Sequence, residues 1–131
     1  GPLSIGASPN AASCLLPQVF YSFLKTYPDV IIDVSVSNTE KIIADIYEGR
    51  IDIGVVEGNI KNPSVFLDDI AEDEIVIIAS DDNTLIKKKS VAPSDLISQP
   101  FLMPEAGSGI REFIDDFFSK SQIDPKNIKH L

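Results

Sequence analysis

The strand around which the chain is organised reads Ile51-Asp52-Ile53-Gly54-Val55-Val56-Glu57-Gly58. It is a short apolar run that ends at a glycine with an acidic residue beside it, which indicates a buried strand leading into a turn. Two strand–helix pairs precede it, and a β-rich run and a second α/β unit follow it. We therefore expect the third strand of a parallel sheet, with its carboxyl end on a ligand crevice.

Hydrophobic periodicity and helix signals predict the other elements. Pro17 predicts an irregular first turn in the first helix, and either Ser37 or Asn38 can cap the second helix, which stops at Gly49. Strands separated by helices imply a parallel sheet with right-handed crossovers, so the fold class is α/β. The predicted strands span 3–7, 30–36, 65–70, 74–80 and 101–103, the first and third helices span 11–27 and 110–121, and a last strand begins at 128.

The composition argues against several classes of function. The 131 residues carry a net charge of -9, which repels phosphate backbones, so the chain by itself is a poor DNA binder. Cys14 and His130 are the single cysteine and histidine, so we expect no intrachain disulfide, no Cys/His zinc site and no other metal or cofactor. Cys14 is predicted to be a small core residue, in a protein of the reducing cytosol.

The first residues and the apolar runs give expectations about processing, targeting and membranes. Gly1-Pro2 resembles the scar of a removed tag, and the residues that follow show no signal peptide. No apolar run approaches the roughly 20 residues that a membrane-spanning helix needs, so no membrane partner is expected.

Four turns lie where the carboxyl ends of the predicted strands should meet, at 7–10, 37–39, 56–58 and 105–109. Three of them lead directly into helices, whose free N–H groups suit a carboxylate, sulfate or phosphate. Neutral polar side chains on these turns can orient such an anion, namely Ser8, Asn10, Asn38, Thr39 and Ser108. The alternative is that these residues are helix caps and that Gly107 and Gly109 only permit an unusual backbone.

Two charged residues beside these turns have more than one interpretation. Arg111 either reaches an anion or pairs with Glu105 or Asp115. Glu57 either caps, pairs with a lysine or binds the amine of a ligand. No serine–histidine pair, metal-spaced cluster or close carboxylate pair accompanies any turn, so we expect a binding site without catalytic residues.

An ordered set of motifs resembles the effector-binding domain of LysR-type transcriptional regulators, and it covers nearly the whole chain. The motifs are Leu3-Ser4-Ile5-Gly6-Ala7-Ser8, Leu15-Leu16-Pro17, Tyr27-Pro28-Asp29-Val30, Ser37-Asn38-Thr39-Glu40, Gly49-Arg50 with the central strand, Glu72-Asp73-Glu74 and Glu105-Ala106-Gly107-Ser108-Gly109-Ile110-Arg111.

This resemblance implies a fold like that of a type II periplasmic binding protein. Residues 1–80 would form most of a first subdomain, and residues 81–131 the hinge and the opening part of a second. A small effector, often an anion or an organic acid, would bind in the cleft between them. Carried over by position, the residues lining it are Ser8, Pro9, Asn10, Asn38, Thr39, Gly107, Ser108, Gly109 and Arg111, and Glu57 at the end of the central strand completes the candidate set.

The resemblance also implies partners and a location. Family members bind promoter DNA through an N-terminal winged helix-turn-helix, which this chain lacks, and they act as homo-oligomers in the bacterial cytoplasm. Family effector domains continue past residue 131, so we expect a truncated domain with exposed apolar edges that self-associates. The alternative is a fragment of a periplasmic solute-binding protein, which shares the fold, and an enzyme on this fold is a third possibility.

Overall fold

The computed structural model describes residues 1–58, 60–61 and 64–130, so that parts of the predicted loop at 59–64, and Leu131, lie outside the described residues. The strands are β1 (Leu3–Ala7), β2 (Ile32–Val36), β3 (Ile53–Val55), β4 (Pro100–Phe101) and β5 (Lys129–His130). The α-helices are α1 (Leu16–Thr26), α2 (Thr39–Tyr47), α3 (Pro93–Leu96) and α4 (Gly109–Lys120). Short π- or 3-10 helical segments span Ala11–Leu15, Thr84–Lys87 and Pro125–Asn127.

The described strands form two parallel sheets. The first has the order β2-β1-β3, and the second pairs β4 with β5. The prediction of parallel strands separated by helices is therefore confirmed. The central strand of the first sheet is β1, whereas β3 is an edge strand limited to residues 53–55, and Ile53 is 47% exposed. The prediction of a short buried strand within residues 51–58 is wrong in its burial, and the strand covers only Ile53–Val55 of that stretch.

Helix α2 packs against one face of the first sheet because two strand residues have no side chain. A Cβ on Gly54 would lie 2.7 Å from Cγ2 of Ile42, and one on Gly6 would lie 3.3 Å from the same atom. Ile42 is therefore only 1% exposed. On the other face, Ile5, Ala7, Ala11 and Leu16 form a buried cluster.

The second unit has a core of its own. Phe118 is 1% exposed and lies at its centre, with a T-shaped ring contact to Phe101 at 6.2 Å between centroids. The buried members of this cluster are Leu96, Phe118, Ile123 and Ile128. Helix α4 therefore packs against the segment that leads into β5, as the predicted α/β unit requires.

Two predicted strands are wrong. Residues 65–70 and 74–80 have no strand structure, and they are almost entirely exposed. Their β-branched sequences favour an extended chain, but a strand also needs a neighbour for its backbone N–H and C=O groups. No described segment pairs with them, and Phe66 and Ile78 are 94% and 88% exposed.

The irregular start of the first helix explains why the predicted burial of Cys14 is wrong. Residues 11–15 form a π-helical turn before α1 begins at Leu16, in agreement with the irregular start that Pro17 predicts. A π turn contains more residues than an α turn, so it changes which side chains face the core. Cys14 is exposed, and its prediction as a core residue is wrong.

Candidate functional site

The carboxyl ends of the three strands of the first sheet are joined by backbone hydrogen bonds. The amide of Ser8 donates to the carbonyl of Val55 at 3.0 Å, and the amide of Ser37 donates to the carbonyl of Ala7 at 3.0 Å. The residues that follow β1, β2 and β3 therefore leave the sheet side by side, as expected for a parallel α/β sheet. Three of the four turns predicted to form the site begin at this edge.

The turn after β1 caps the helical segment that follows it. Ser8 is 4% exposed, and its Oγ accepts a hydrogen bond from the amide of Ala11 at 3.2 Å. Pro9 and Asn10 are exposed, and Asn10 makes no side-chain capping bond. Of these three candidate residues, Ser8 already has a structural role, while Asn10 presents its amide to solvent.

Helix α2 begins at this edge and is capped by Asn38, not Ser37. The Asn38 Oδ1 accepts from the amide of Lys41 at 2.9 Å, in the usual geometry of an N-cap. The next residue, Thr39, is 5% exposed, yet its hydroxyl Oγ1 is buried without a hydrogen-bond partner among the described residues. A buried hydroxyl without a partner is uncommon, because the lost hydration is not replaced. The hydroxyl of Thr39, in the first turn of α2, is therefore available both to donate and to accept a hydrogen bond.

The glycine-rich turn before α4 packs against the start of α2. The carbonyl of Gly107 accepts from the amide of Glu40 at 3.2 Å, and Gly107 has a positive φ of 82°. Ser108 caps α4, its Oγ accepting from the amide of Arg111 at 3.4 Å. Two helix N-termini, those of α2 and α4, thus meet at this turn.

The residues after β3 also reach the place where the N-termini of α2 and α4 meet. A Cβ on Gly58, which has φ 103°, would lie 2.8 Å from Cα of Gly109. A Cβ on Gly109 would lie well inside van der Waals distance of the Glu57 carbonyl oxygen. The two glycines therefore permit a backbone contact that other residues would prevent. The Glu57 carboxylate is partly buried beside this contact, and in the part of the chain that the structure describes its Oε1 has no hydrogen-bond partner.

Arg111 is held within its own unit. Its Nε donates to both carboxylate oxygens of Asp115 at 3.1 Å, and one terminal nitrogen donates to the carbonyl of Pro104 at 3.0 Å. The sequence offered Glu105 or Asp115 as the partner of Arg111, and the structure shows the pair with Asp115. These bonds tie α4 to the segment that enters the glycine-rich turn, so Arg111 positions that turn.

A cavity of about 390 Å³ opens beside this meeting point. Its walls include Thr39 and Gly107 from the predicted set. Five further residues line it that the sequence did not indicate: Glu40, Ile43, Ile60, Lys61 and Glu112. They lie on the first two turns of α2, on the first turn of α4 and in the loop after β3, and the helix starts were the signal that could have found Glu40 and Glu112. Two carboxylates and one ammonium group therefore border the cavity.

A second cavity, of about 240 Å³, is lined by residues of β1, β2 and α2 and by Arg50 and Ile51, which precede β3. It is bordered by an ion-pair network in which Lys41 and Arg50 both contact Asp45, and Arg50 also contacts Glu48. The hydrogen bond from Lys41, and then that from Arg50, lowers the pKa of Asp45 below its ordinary value. This network stabilises the end of α2, because the carbonyl of Asp45 also accepts from the amide of Arg50 at 2.8 Å.

Neither a metal-binding cluster nor a membrane-spanning helix is present in the described residues, which are 1–58, 60–61 and 64–130. Within these ranges no three histidine, cysteine, aspartate or glutamate side chains cluster in a way that could hold a metal ion. Nor does any helix in this part of the chain have the length and apolar character needed to cross a bilayer.

Fold and site together define an α/β ligand-binding domain, in which strand ends and helix N-termini converge on a cleft. The family described as "LysR substrate binding domain" matches residues 1–130. The chain belongs to this family, which confirms the resemblance noted in the sequence.

A curated relative and two solved structures support this assignment. The chain is 31% identical to the "HTH-type transcriptional regulator CysL" of Bacillus subtilis over 98% of its length, and it spans 43% of that relative. The effector-binding domain of QuiR in complex with shikimate superposes with a TM-score of 0.85 at 21% identity, covering all of this chain and 62% of the other. The regulatory domain of Synechocystis CcmR in complex with 2-PG gives a TM-score of 0.73 at 21% identity, with coverage of 100% and 61%.

These likenesses confirm the fold class, which is α/β of the type II periplasmic-binding-protein kind. The chain spans less than half the length of the curated relative. The family is one of transcriptional regulators, which agrees with the expectation that the chain is not an enzyme. The solute-binding alternative receives no support from these relatives.

Proposed function

We propose that the chain is the effector-sensing domain of a LysR-type transcriptional regulator and that it binds a small anion or organic acid. The carrying observation is the buried, unpaired hydroxyl of Thr39 in the first turn of α2, beside the cavity of about 390 Å³. The two units of the proposed domain organisation, residues 1–80 and 81–131, both contribute to this place, because α2 comes from the first and the Gly107–Gly109 turn from the second.

The chemistry of this cleft suits an oxyanion bound by neutral donors. The N-terminus of α2 supplies backbone N–H groups and a partial positive charge, and Thr39 supplies a hydroxyl. The full proposed ligand-binding set is the one predicted from the sequence: Ser8, Pro9, Asn10, Asn38, Thr39, Glu57, Gly107, Ser108, Gly109 and Arg111. Ser8, Asn38, Ser108 and Arg111 would act through the backbone that they hold in place, since their side chains are already hydrogen-bonded.

The partners follow from the family and from the charge of the chain. With a net charge of -9, these residues are unsuited to contact DNA, so we propose that promoter DNA is bound by a helix-turn-helix domain outside them. The relative CysL is an HTH-type transcriptional regulator, which supports this division. We further propose that the protein forms homo-oligomers in the bacterial cytoplasm and that the effector changes how the DNA-binding domains are arranged.

A ligand screen on this chain, followed by a Thr39→Val variant, tests the proposal. A bound small carboxylate or inorganic oxyanion should stabilise the fold by about 2.7 kcal/mol at a hundredfold excess over Kd, measured as a shift in thermal unfolding. Removing the hydroxyl should weaken that ligand about two- to tenfold, the effect of one hydrogen bond. The unliganded variant should be at least as stable as the parent, since Thr39 Oγ1 has no partner to lose.

The matched control is Thr26→Val, at the exposed end of α1 and away from the cleft. It should leave the affinity unchanged. Equal affinity in the parent and in Thr39→Val would remove the hydroxyl from the site. Failure of every small carboxylate and oxyanion to stabilise the chain would contradict an anion-binding cleft.

A further inference from the structure

The turn before α4 already accepts a hydrogen bond from one backbone amide at the N-terminus of α2. The carbonyl of Gly107 accepts from the Glu40 amide at 3.2 Å, in the position where an anionic oxygen would accept. Two residues later, Gly109 packs against Glu57 and Gly58 through backbone atoms alone. In this arrangement the protein supplies its own neutral oxygen to the α2 amide.

The contact leaves polar groups on both sides without partners. Thr39 Oγ1 lies 3.3 Å from the place that a Cβ on Gly109 would occupy, and it is fully buried. Glu57 Oε1 is also buried and unpaired. Because the unpaired buried hydroxyl of Thr39 raises the free energy of this arrangement, an arrangement in which Thr39 donates to a ligand oxygen is favoured once an oxyanion is present. An oxyanion offers Glu57 Oε1 no hydrogen bond, so the argument rests on Thr39.

We propose that the Gly107–Gly109 turn is an internal stand-in for the effector, and that effector binding displaces it from α2 and from Glu57–Gly58. This inference rests on the proposed function. An effector oxyanion would take the Glu40 amide from the Gly107 carbonyl and accept from the Thr39 hydroxyl. The exchange is favourable because a charged acceptor makes stronger hydrogen bonds than a neutral carbonyl does.

The consequence is that effector binding opens the contact between the two units at this point. Ser108 caps α4, and Arg111 links α4 to Pro104, so withdrawal of the turn carries the start of α4 with it. A movement of α4 relative to α2 is the signal that the rest of a regulator could detect.

A Gly109→Ala variant mimics the displaced state. Gly109 is the first residue of α4 and its φ is not positive, so alanine is compatible with its backbone. The added Cβ would overlap the Glu57 carbonyl oxygen, so the turn must withdraw. The control is Gly1→Ala, where an added Cβ meets no atom within 4 Å and no left-handed backbone opposes a side chain.

The probe is inorganic sulfate, titrated into the 131-residue chain and followed by NMR. In the parent without sulfate, the Glu40 amide should exchange slowly with solvent, and the α-protons of Gly58 and Gly109 should show a nuclear Overhauser effect. Gly109→Ala should lose the protection of the Glu40 amide and bind sulfate about two- to tenfold more tightly than the parent, the effect of one displaced hydrogen bond. Gly1→Ala should bind sulfate as the parent does.

The parent chain alone provides a second measurement that does not depend on the folding of any variant. Saturation with sulfate should abolish the Gly58–Gly109 effect and change the Glu40 amide resonance. If sulfate binds while this effect persists, or if Gly109→Ala binds sulfate no more tightly than the parent, the stand-in is overturned and the proposed function survives. If sulfate binds none of the three proteins, and no other small anion stabilises the chain, the stand-in and the anion-binding function fail together.

Discussion

Truncation of Ile42 to alanine is the sharpest test of how α2 is held on the sheet. Ile42 is 1% exposed, and its methyl groups fill the space above Gly6 and Gly54. Deleting a buried isoleucine side chain to alanine costs about 2–5 kcal/mol, and the cost is larger where neighbours cannot relax into the cavity. Glycine has no side chain that could do so. We therefore expect a loss of about 3–5 kcal/mol, a large part of the 5–15 kcal/mol typical of a domain.

Urea unfolding followed by circular dichroism measures this loss as a lower midpoint with an unchanged slope. The matched control is Ile78→Ala, because Ile78 is 88% exposed. Its unfolding free energy should change by no more than about 0.5 kcal/mol. Equal effects of the two substitutions would refute the reasoning, since α2 would then not depend on Ile42 for its place on the sheet.

The other predictions concern charge and association. Because the folded-state pKa of Asp45 lies below the ordinary value of 3.8, its ion pairs stabilise the fold above that pH. This contribution is lost as the pH falls through the folded pKa, so Asp45→Asn should show less acid destabilisation than the parent in urea titrations across the acidic range. The exposed apolar side chains of residues 65–80 should also drive self-association, seen in light scattering as a mass that rises with concentration. A constant monomer mass would contradict this.

The sequence predicted those parts of the fold that local signals determine. The bounds of β1 agree with the prediction at both ends, and α4 agrees within a residue. These elements combine a clear period with a nearby stop signal, such as the polar and proline-containing run after Ala7. The Asn38 cap was one of two open alternatives, and the structure selects it because its side chain reaches the Lys41 amide.

The errors all concern properties that depend on distant parts of the chain. The β3 sequence looks buried, but burial depends on having neighbours on both sides, and β1 takes the central position. Residues 74–80 have a strong strand sequence, but no described partner pairs with them. Cys14 falls near a helical stripe, but the π turn shifts the face that it occupies. In each case the residue pattern is local and the deciding contact is not.

The candidate site also combines features that local signals predict with contacts between distant residues that they do not predict. Helix starts identified Thr39 and Gly107, but Ile60, Lys61 and Glu112 also line the cavity. The path of the loop after β3 sets the positions of Ile60 and Lys61, and the packing of the two units sets that of Glu112. The hydrogen bond between the Glu40 amide and the Gly107 carbonyl also joins residues far apart in sequence. No spacing rule relates such residues, so the sequence could propose the turns but not the contact between them.

The charges around the cleft indicate what kind of selectivity such a site can have. Glu40 and Glu112 border the cavity with Lys61 as the single cationic lining residue, and Arg111 is already paired with Asp115. In the proposed site, attraction for an anion would come mainly from the Glu40 amide, once the Gly107 carbonyl leaves it, and from the Thr39 hydroxyl, which both act only at hydrogen-bond distance. A site of this kind distinguishes ligands by where their oxygens lie rather than by total charge, because a larger polyanion would meet the two carboxylates. The carboxylates of Glu40 and Glu112, together with the neutral donors of α2, favour a small ligand with one well-placed oxyanion group.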